Sequence, residues 1–180
     1  MEKLSFPVNR NYCDTQHFLL AHAKLNSAYP RGTFYKTIKP MRAYKRVQCD
    51  DDRAAIAVLD IPTGAEFYAD HSDGSWYGNK MRASVGVVVS IHAYIPHDYW
   101  HPSWLAFGAS PREWHDTSLL PPNFDSSCFV DVQRAHSMRD IRFEYVVGQE
   151  VVADYFCEND KQCAGGIHFF LNVREALAYR

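Results

Sequence analysis

The chain has 180 residues, 47% apolar and 14% aromatic, enough to bury a core without cross-links in a domain of this size. Nineteen basic residues against twenty-one acidic ones leave a net charge of −2, which argues against a general nucleic-acid coat or a polybasic membrane anchor. No stretch approaches the roughly 20 apolar residues of a membrane span, Met1 to Arg10 lacks the apolar run of a signal peptide, and five irregularly spaced cysteines read as reduced thiols of a cytoplasmic protein.

One domain is expected over residues 1–180. Asp14 is placed to cap an N-terminal helix over 14–27, on which Phe18, Ala21, Leu25 and Ala28 recur at helical spacing. Pro30 and Gly32 end it. Short β-rich runs follow at 34–38, 43–47, 54–61 and 65–69, with Pro62-Thr63-Gly64 as a turn. Residues 82–91, with Val85, Val87, Val88, Val89 and Ile91, read as one buried strand. The connections are too short for helical crossovers, so the sheet is expected to be mainly antiparallel. Residues 93–127 hold five prolines together with Trp100, Trp104, Trp114, His97, His101 and His115 and show no period. They read as an ordered, aromatic-rich insertion. Strands are expected again at 128–132, 141–147, from 150, and at 167–171. Asn172 then caps a short C-terminal helix, with Glu175 completing a capping box. The fold class expected from these elements is α+β.

Phe143-x-Tyr145-x-x-Gly148-x-x-Val151, Asp154, Cys163-x-x-Gly166-Ile167-His168-Phe169-Phe170, Glu175-Ala176 and Tyr179 resemble an uncharacterised family found in phages, giant viruses and bacteria, often beside pentapeptide repeats. Upstream, Tyr44-Lys45, Ala57-Val58-Leu59-x-Ile61-Pro62, Lys80-x-Arg82-Ala83-Ser84 and Val88-x-Ser90-Ile91 are similar to it as well. The family core so defined covers 33–92 and 128–180. The resemblance implies no known activity. The helix at 14–27 and the insertion at 93–127 fall outside the pattern.

Several residues could carry chemistry. Strand alternation puts His168 opposite Ile167 and Phe169, as a ligand contact or as a partly buried histidine bonded to the preceding loop. Cys157 and Cys163 with His168 have the wrong spacing for a zinc hook. Cys163 or Cys128 with His168 or His136 would need a helix terminus or a cation to activate the thiol. No metal, cofactor or catalytic residue is therefore assigned. Gly165-Gly166 reads as a loop-to-strand turn, and Asp50-Asp51-Asp52 as a solvated turn. Residues 31–46 carry six basic groups and no acid, interleaved with Phe34, Tyr35 and Tyr44, a pattern that suits a nucleotide or single-stranded nucleic acid or a charged sheet edge.

The function expected is a non-enzymatic binding module, a phage or mobile-element accessory protein that engages a host or defence macromolecule, with a protein the favoured partner, through Trp100, His101, Trp104 and Trp114. One alternative is a nucleotide-binding enzyme or sensor with a cleft near His168, Lys45 and Arg82. Another is a nucleic-acid binder using 31–46.

Overall fold

The computed structural model describes residues 18–29, 33–69, 80–94, 129–156 and 165–179. Twelve strands lie within them: β1 (Ala23–Leu25), β2 (Phe34–Thr37), β3 (Met41–Gln48), β4 (Ala54–Ile61), β5 (Glu66–Ala69), β6 (Met81–Ala83), β7 (Val85–Tyr94), β8 (Phe129–Val132), β9 (Arg134–His136), β10 (Glu144–Val146), β11 (Glu150–Val152) and β12 (Ile167–Phe169), followed by a helix at Val173–Ala178. Every strand pairing is antiparallel. The strands form a five-stranded sheet in the order β1-β2-β5-β6-β12 and a seven-stranded sheet in the order β10-β9-β3-β4-β7-β11, with β8 also paired to β7. No helix among the described residues is long and apolar enough to cross a membrane.

The antiparallel sheet was legible, but the α+β class was not: the structure is mostly β. Only residues 18–22 of the expected helix at 14–27 are described as helical, and residues 23–25 then turn into strand β1. Pairing decides this. Ala23, Lys24 and Leu25 sit opposite Thr37, Lys36 and Tyr35, and the His22 carbonyl accepts from the amides of Ile38 and Lys39. A helix carried on through these residues would forfeit that ladder. Leu25, read as part of an apolar helix face, is exposed.

The expected strand at 82–91 is two strands in different sheets. β6 ends at Ala83 and β7 begins at Val85. Ser84 forms the corner: its amide donates to Glu66 O at 2.9 Å and its carbonyl accepts from the amide of Ala153 at 2.9 Å. A run so rich in valine carries no mark of such a corner. At a second junction the sheets are tied directly, since Tyr44 and Phe170 exchange both backbone hydrogen bonds at 2.8 Å.

The inner faces of both sheets share one core. Met41, Ala43, Val47, Ala57, Leu59 and Ile61 meet Phe67, Ala69, Met81, Ala83, Ile167 and Phe169, which makes the fold a sandwich joined at its corners. A second cluster covers the outer face of the seven-stranded sheet, where Val173, Ala176 and Leu177 of the helix pack on Tyr44, Ile56, Val58, Tyr94 and Phe170. Arg46 Nη1 donates to the Leu177 and Tyr179 carbonyls at 3.2 and 2.8 Å, placing a cation where the helix end concentrates negative charge.

Phe67 is fully buried, stacked on Tyr35 and edge-on to Phe169. Phe67→Ala is expected to cost about 3–5 kcal/mol through the cavity it leaves. Leu20→Ala, at a residue 71% exposed, should stay within about 0.5 kcal/mol of wild type. Urea unfolding of the two variants checks the contrast.

Candidate functional site

On the outer face of the five-stranded sheet, cross-strand register lines up Phe34, Tyr68, Arg82 and His168. Arg82 is fully buried. Its guanidinium carbon lies 4.5 Å from the centroid of the Tyr68 ring, 5.3 Å from that of Phe156 and 5.5 Å from that of Phe34, and Nη1 donates to Gly165 O at 3.1 Å. Three ring faces and a carbonyl are among the contacts that replace the water this cation gives up. The Gly165-Gly166 segment is held against it. Gly166 adopts φ +143°, and a Cβ there would stand 3.1 Å from Arg82 Cβ and 3.3 Å from Ala83 O. A Cβ on Gly165 would collide with the Tyr155 backbone. Only glycine lets the chain pass here.

That segment forms part of an open cleft of about 460 Å³, lined by Lys80, Ser137, Arg139, Asp140, Phe143, Tyr145, Ala153, Asp154, Tyr155, Gly165, Gly166, His168 and Tyr179. Lys80 is buried and its Nζ donates to the Tyr179 hydroxyl at 2.7 Å. Lys45 lies behind Tyr145, with Nζ 5.6 Å from the ring centroid and 3.2 Å from His168 O, to which it donates. Its pKa falls to about 8, first through burial and then through the charges of Lys80 and Arg139. Burial pushes the Tyr145 hydroxyl above the usual phenol range, so it stays a neutral donor. Of the two acids at the cleft, Asp140 is engaged by Arg142 at 3.1 Å, whose hydrogen bonds hold its carboxyl below the usual carboxylate range.

Of the three residues expected around a cleft, His168 lines it, while Lys45 and Arg82 adjoin its lining without belonging to it. His168 is the direct cross-strand partner of Arg82, and Lys45 reaches the His168 backbone. Their roles differ. Lys45 holds the His168 carbonyl and Arg82 the Gly165 carbonyl of that lining. Lys80, Arg139, Tyr145 and Tyr179 were not singled out as site residues, because only the sheet pairing reveals that they converge.

The basic stretch at 31–46 does not present a single surface. Arg42 pairs with Asp60 at 2.6 Å, Lys45 points to His168 O, and Arg46 binds the helix end. Arg31 lies outside the described residues. The Asp50-Asp51-Asp52 run is a turn: Asp52 has φ 65°, Asp50 pairs with Arg134, and Asp51 with Arg53. Trp100, His101, Trp104 and Trp114 lie outside the described residues, as do Cys128, Cys157 and Cys163. Among the described residues, no group of three or more His, Cys, Asp or Glu side chains is placed to hold a metal.

Residues 124–176 match a family of unknown function, DUF5758. All the residues lining the cleft except Lys80 and Tyr179 fall inside that stretch. No curated protein and no solved structure gives a significant match.

The Lys45 environment generates a signed prediction. The unfolded chain holds the Lys45 proton to about pH 10.5, the folded chain only to about 8. Charging Lys45 therefore opposes folding below pH 8, by up to about 3 kcal/mol. Between pH 8 and 10.5 the unfolded state binds more protons, so this penalty fades as pH rises. Lys45→Met should be more stable than wild type at pH 7, with the advantage shrinking over that window. Denaturant midpoints at pH 7, 8.5 and 10 check it.

Proposed function

We propose that the cleft beside His168 binds a small anionic ligand with a planar ring, of the nucleotide class, and that the chain acts as a nucleotide-binding module. The observation that carries this reading is the gathering of Lys45, Lys80 and Arg139, close enough that the last two depress the first, at a cleft walled by Phe143, Tyr145, Tyr155 and Tyr179. Like charges packed together raise the free energy of the empty site. A phosphate entering between them relieves the repulsion and restores the Lys45 proton. The rings supply a stacking surface for a base, as in single-strand and nucleotide recognition, and the volume falls within the range of small-ligand sites. Ser137 and His168 add polar side chains to the wall.

The residues through which the sequence resembles an uncharacterised family support the same place. Lys80, Phe143, Tyr145, Asp154, Gly166, His168 and Tyr179 all belong to that pattern and all line the cleft. The protein-binding surface expected at Trp100, His101, Trp104 and Trp114 lies beyond the described residues, so the cleft alone carries the reading.

Thermal shift and equilibrium dialysis against purine and pyrimidine mono- and diphosphates, with nucleosides and inorganic phosphate as controls, test the proposal. Nucleotides should raise the melting temperature in proportion to occupancy, while nucleoside or phosphate alone binds more weakly. Lys80→Met should weaken nucleotide binding at least about tenfold, the loss of one charge-assisted contact. Affinity should be highest below pH 8 and fall above it, as Lys45 loses its proton in the free protein. Absence of binding by every nucleotide at millimolar concentration sinks the reading.

A further inference from the structure

A second constellation lies on the outer face of the seven-stranded sheet, away from the cleft. His92 is 5% exposed and both of its ring nitrogens are engaged. Nδ1 lies 2.7 Å from Asp131 Oδ1, and Nε2 lies 2.8 Å from Ser90 Oγ. The backbone builds this arrangement. Ser90 and His92 are two residues apart on β7, hence on one face, and Asp131 on β8 is the direct cross-strand partner of His92. On the same face Ile56 and Val58 of β4 lie beside His92 and Ser90, and Tyr94 meets Phe129 edge-on at 5.9 Å.

The protons follow from the partners. A carboxylate only accepts, so the nitrogen facing Asp131 carries the hydrogen in the neutral ring. Nε2 then presents its lone pair, and the Ser90 hydroxyl donates to it. This fixes the direction of the Ser90 proton and leaves the oxygen lone pairs free of the imidazole. Nucleophile, base and orienting acid are linked at hydrogen-bond distance, which is the geometric signature of an activated hydroxyl. Ser90 is partly exposed. It follows a β-bulge at which Val89 has no partner, since Ser90 pairs with Val58 and Val88 with Leu59. Bulges of this kind re-aim side chains beside reactive sites.

We propose that Ser90 is a nucleophile for acyl transfer from uncharged esters with an apolar acyl or aryl group, with His92 as its general base and Asp131 as the positioning residue. In the first step Ser90 Oγ forms a bond to the carbonyl carbon and its proton passes to His92 Nε2. The carbonyl electron pair then re-forms the double bond, the ester C–O bond breaks, and the leaving oxygen takes the proton from Nε2. Water repeats the sequence on the acyl-serine, with His92 accepting a proton from water and returning it to Ser90. The net reaction is ester plus water to acid plus alcohol, with no redox partner.

The test uses the full chain, a fluorophosphonate probe and p-nitrophenyl butyrate. The wild type should acquire one phosphonyl group on Ser90, located by peptide mass spectrometry, with fluoride as leaving group. Ser90→Ala should lose the adduct and the esterase activity while keeping its circular dichroism spectrum. Asp131→Asn, at a side chain 46% exposed and so a mild change to the fold, should lower kcat at least roughly 100-fold, the scale of a general-base contribution, with KM unchanged. A purely structural hydrogen-bond network predicts otherwise. A folded wild type that takes no label at Ser90, or a Ser90→Ala variant with undiminished esterase activity, overturns the proposal. So does an Asp131→Asn variant that labels as fast as wild type. Nucleotide binding in the cleft is read separately and is unaffected by any of these outcomes.

Discussion

Arg82 carries a full charge to a point with no exposed surface, and much of the cleft is arranged by that constraint. A buried cation is tolerated only where its environment replaces hydration. Here Phe34, Tyr68 and Phe156 contribute ring faces, and Gly165 contributes a carbonyl. The carbonyl can arrive only if the chain passes within van der Waals contact of Arg82 and Tyr155, which demands two successive residues without a Cβ. From Gly166 the chain runs straight into β12, whose register with β6 sets His168 beside Arg82. The position of His168 at the cleft wall is thus a consequence of how the guanidinium is satisfied three residues earlier in the chain. Replacing Arg82 by an apolar residue of like volume would relieve the burial cost but remove the contact that anchors Gly165.

Strand alternation then distributes the remaining charges. On β3, the inward positions are Met41, Ala43, Lys45 and Val47, and the core takes all but the lysine. Lys45 escapes the apolar interior because it lies where the two sheets join, next to the Tyr44–Phe170 exchange, and can reach the His168 carbonyl. Arg46, one residue on, points to the other face and serves the helix end. Adjacent cations in the sequence therefore do unrelated work on opposite sides of one strand. A linear count of basic residues over 31–46 mixes the two and overstates any common surface.

What could be read from the sequence follows the same logic. β4 at 54–61 was legible to the residue, because eight mostly apolar residues between turn signals have the length of a strand and are short for a helix. The capped helix after Asn172 was legible for the same local reason. His168 could be found because alternation within a short strand exposes its face. The helix expected at 14–27 could not be corrected from the sequence: the spacing of Phe18, Ala21, Leu25 and Ala28 is helical, and only the distant partner β2 turns residues 23–25 into strand. The corner at Ser84 was hidden because the valine-rich run continues past it without a turn signal. Lys80 and Arg139 lie far from each other along the chain, and nothing local couples either of them to Lys45.

The bulge at Val89 shows how one inserted residue can decide what a strand presents. Before it, Val88 faces the core shared by the sheets, and a Cβ on Gly86 would meet Ile61 and Leu59. After it, Ile91 and Ala93 face that core. Inward parity changes from even to odd between Val88 and Ile91, in step with the register shift between Val58 and Leu59 on the neighbouring strand. Without the extra residue, strict alternation would turn Ser90 and His92 into the apolar interior, where a hydroxyl and an imidazole would need partners the core does not hold. With it, both face outward, and Asp131 meets His92 across β8. The Ser-x-His spacing is visible in the sequence. Its partnership with an aspartate thirty-nine residues away depends on the chain returning after residues 95–128 to pair with the strand it left, and on a bulge that no periodicity announces.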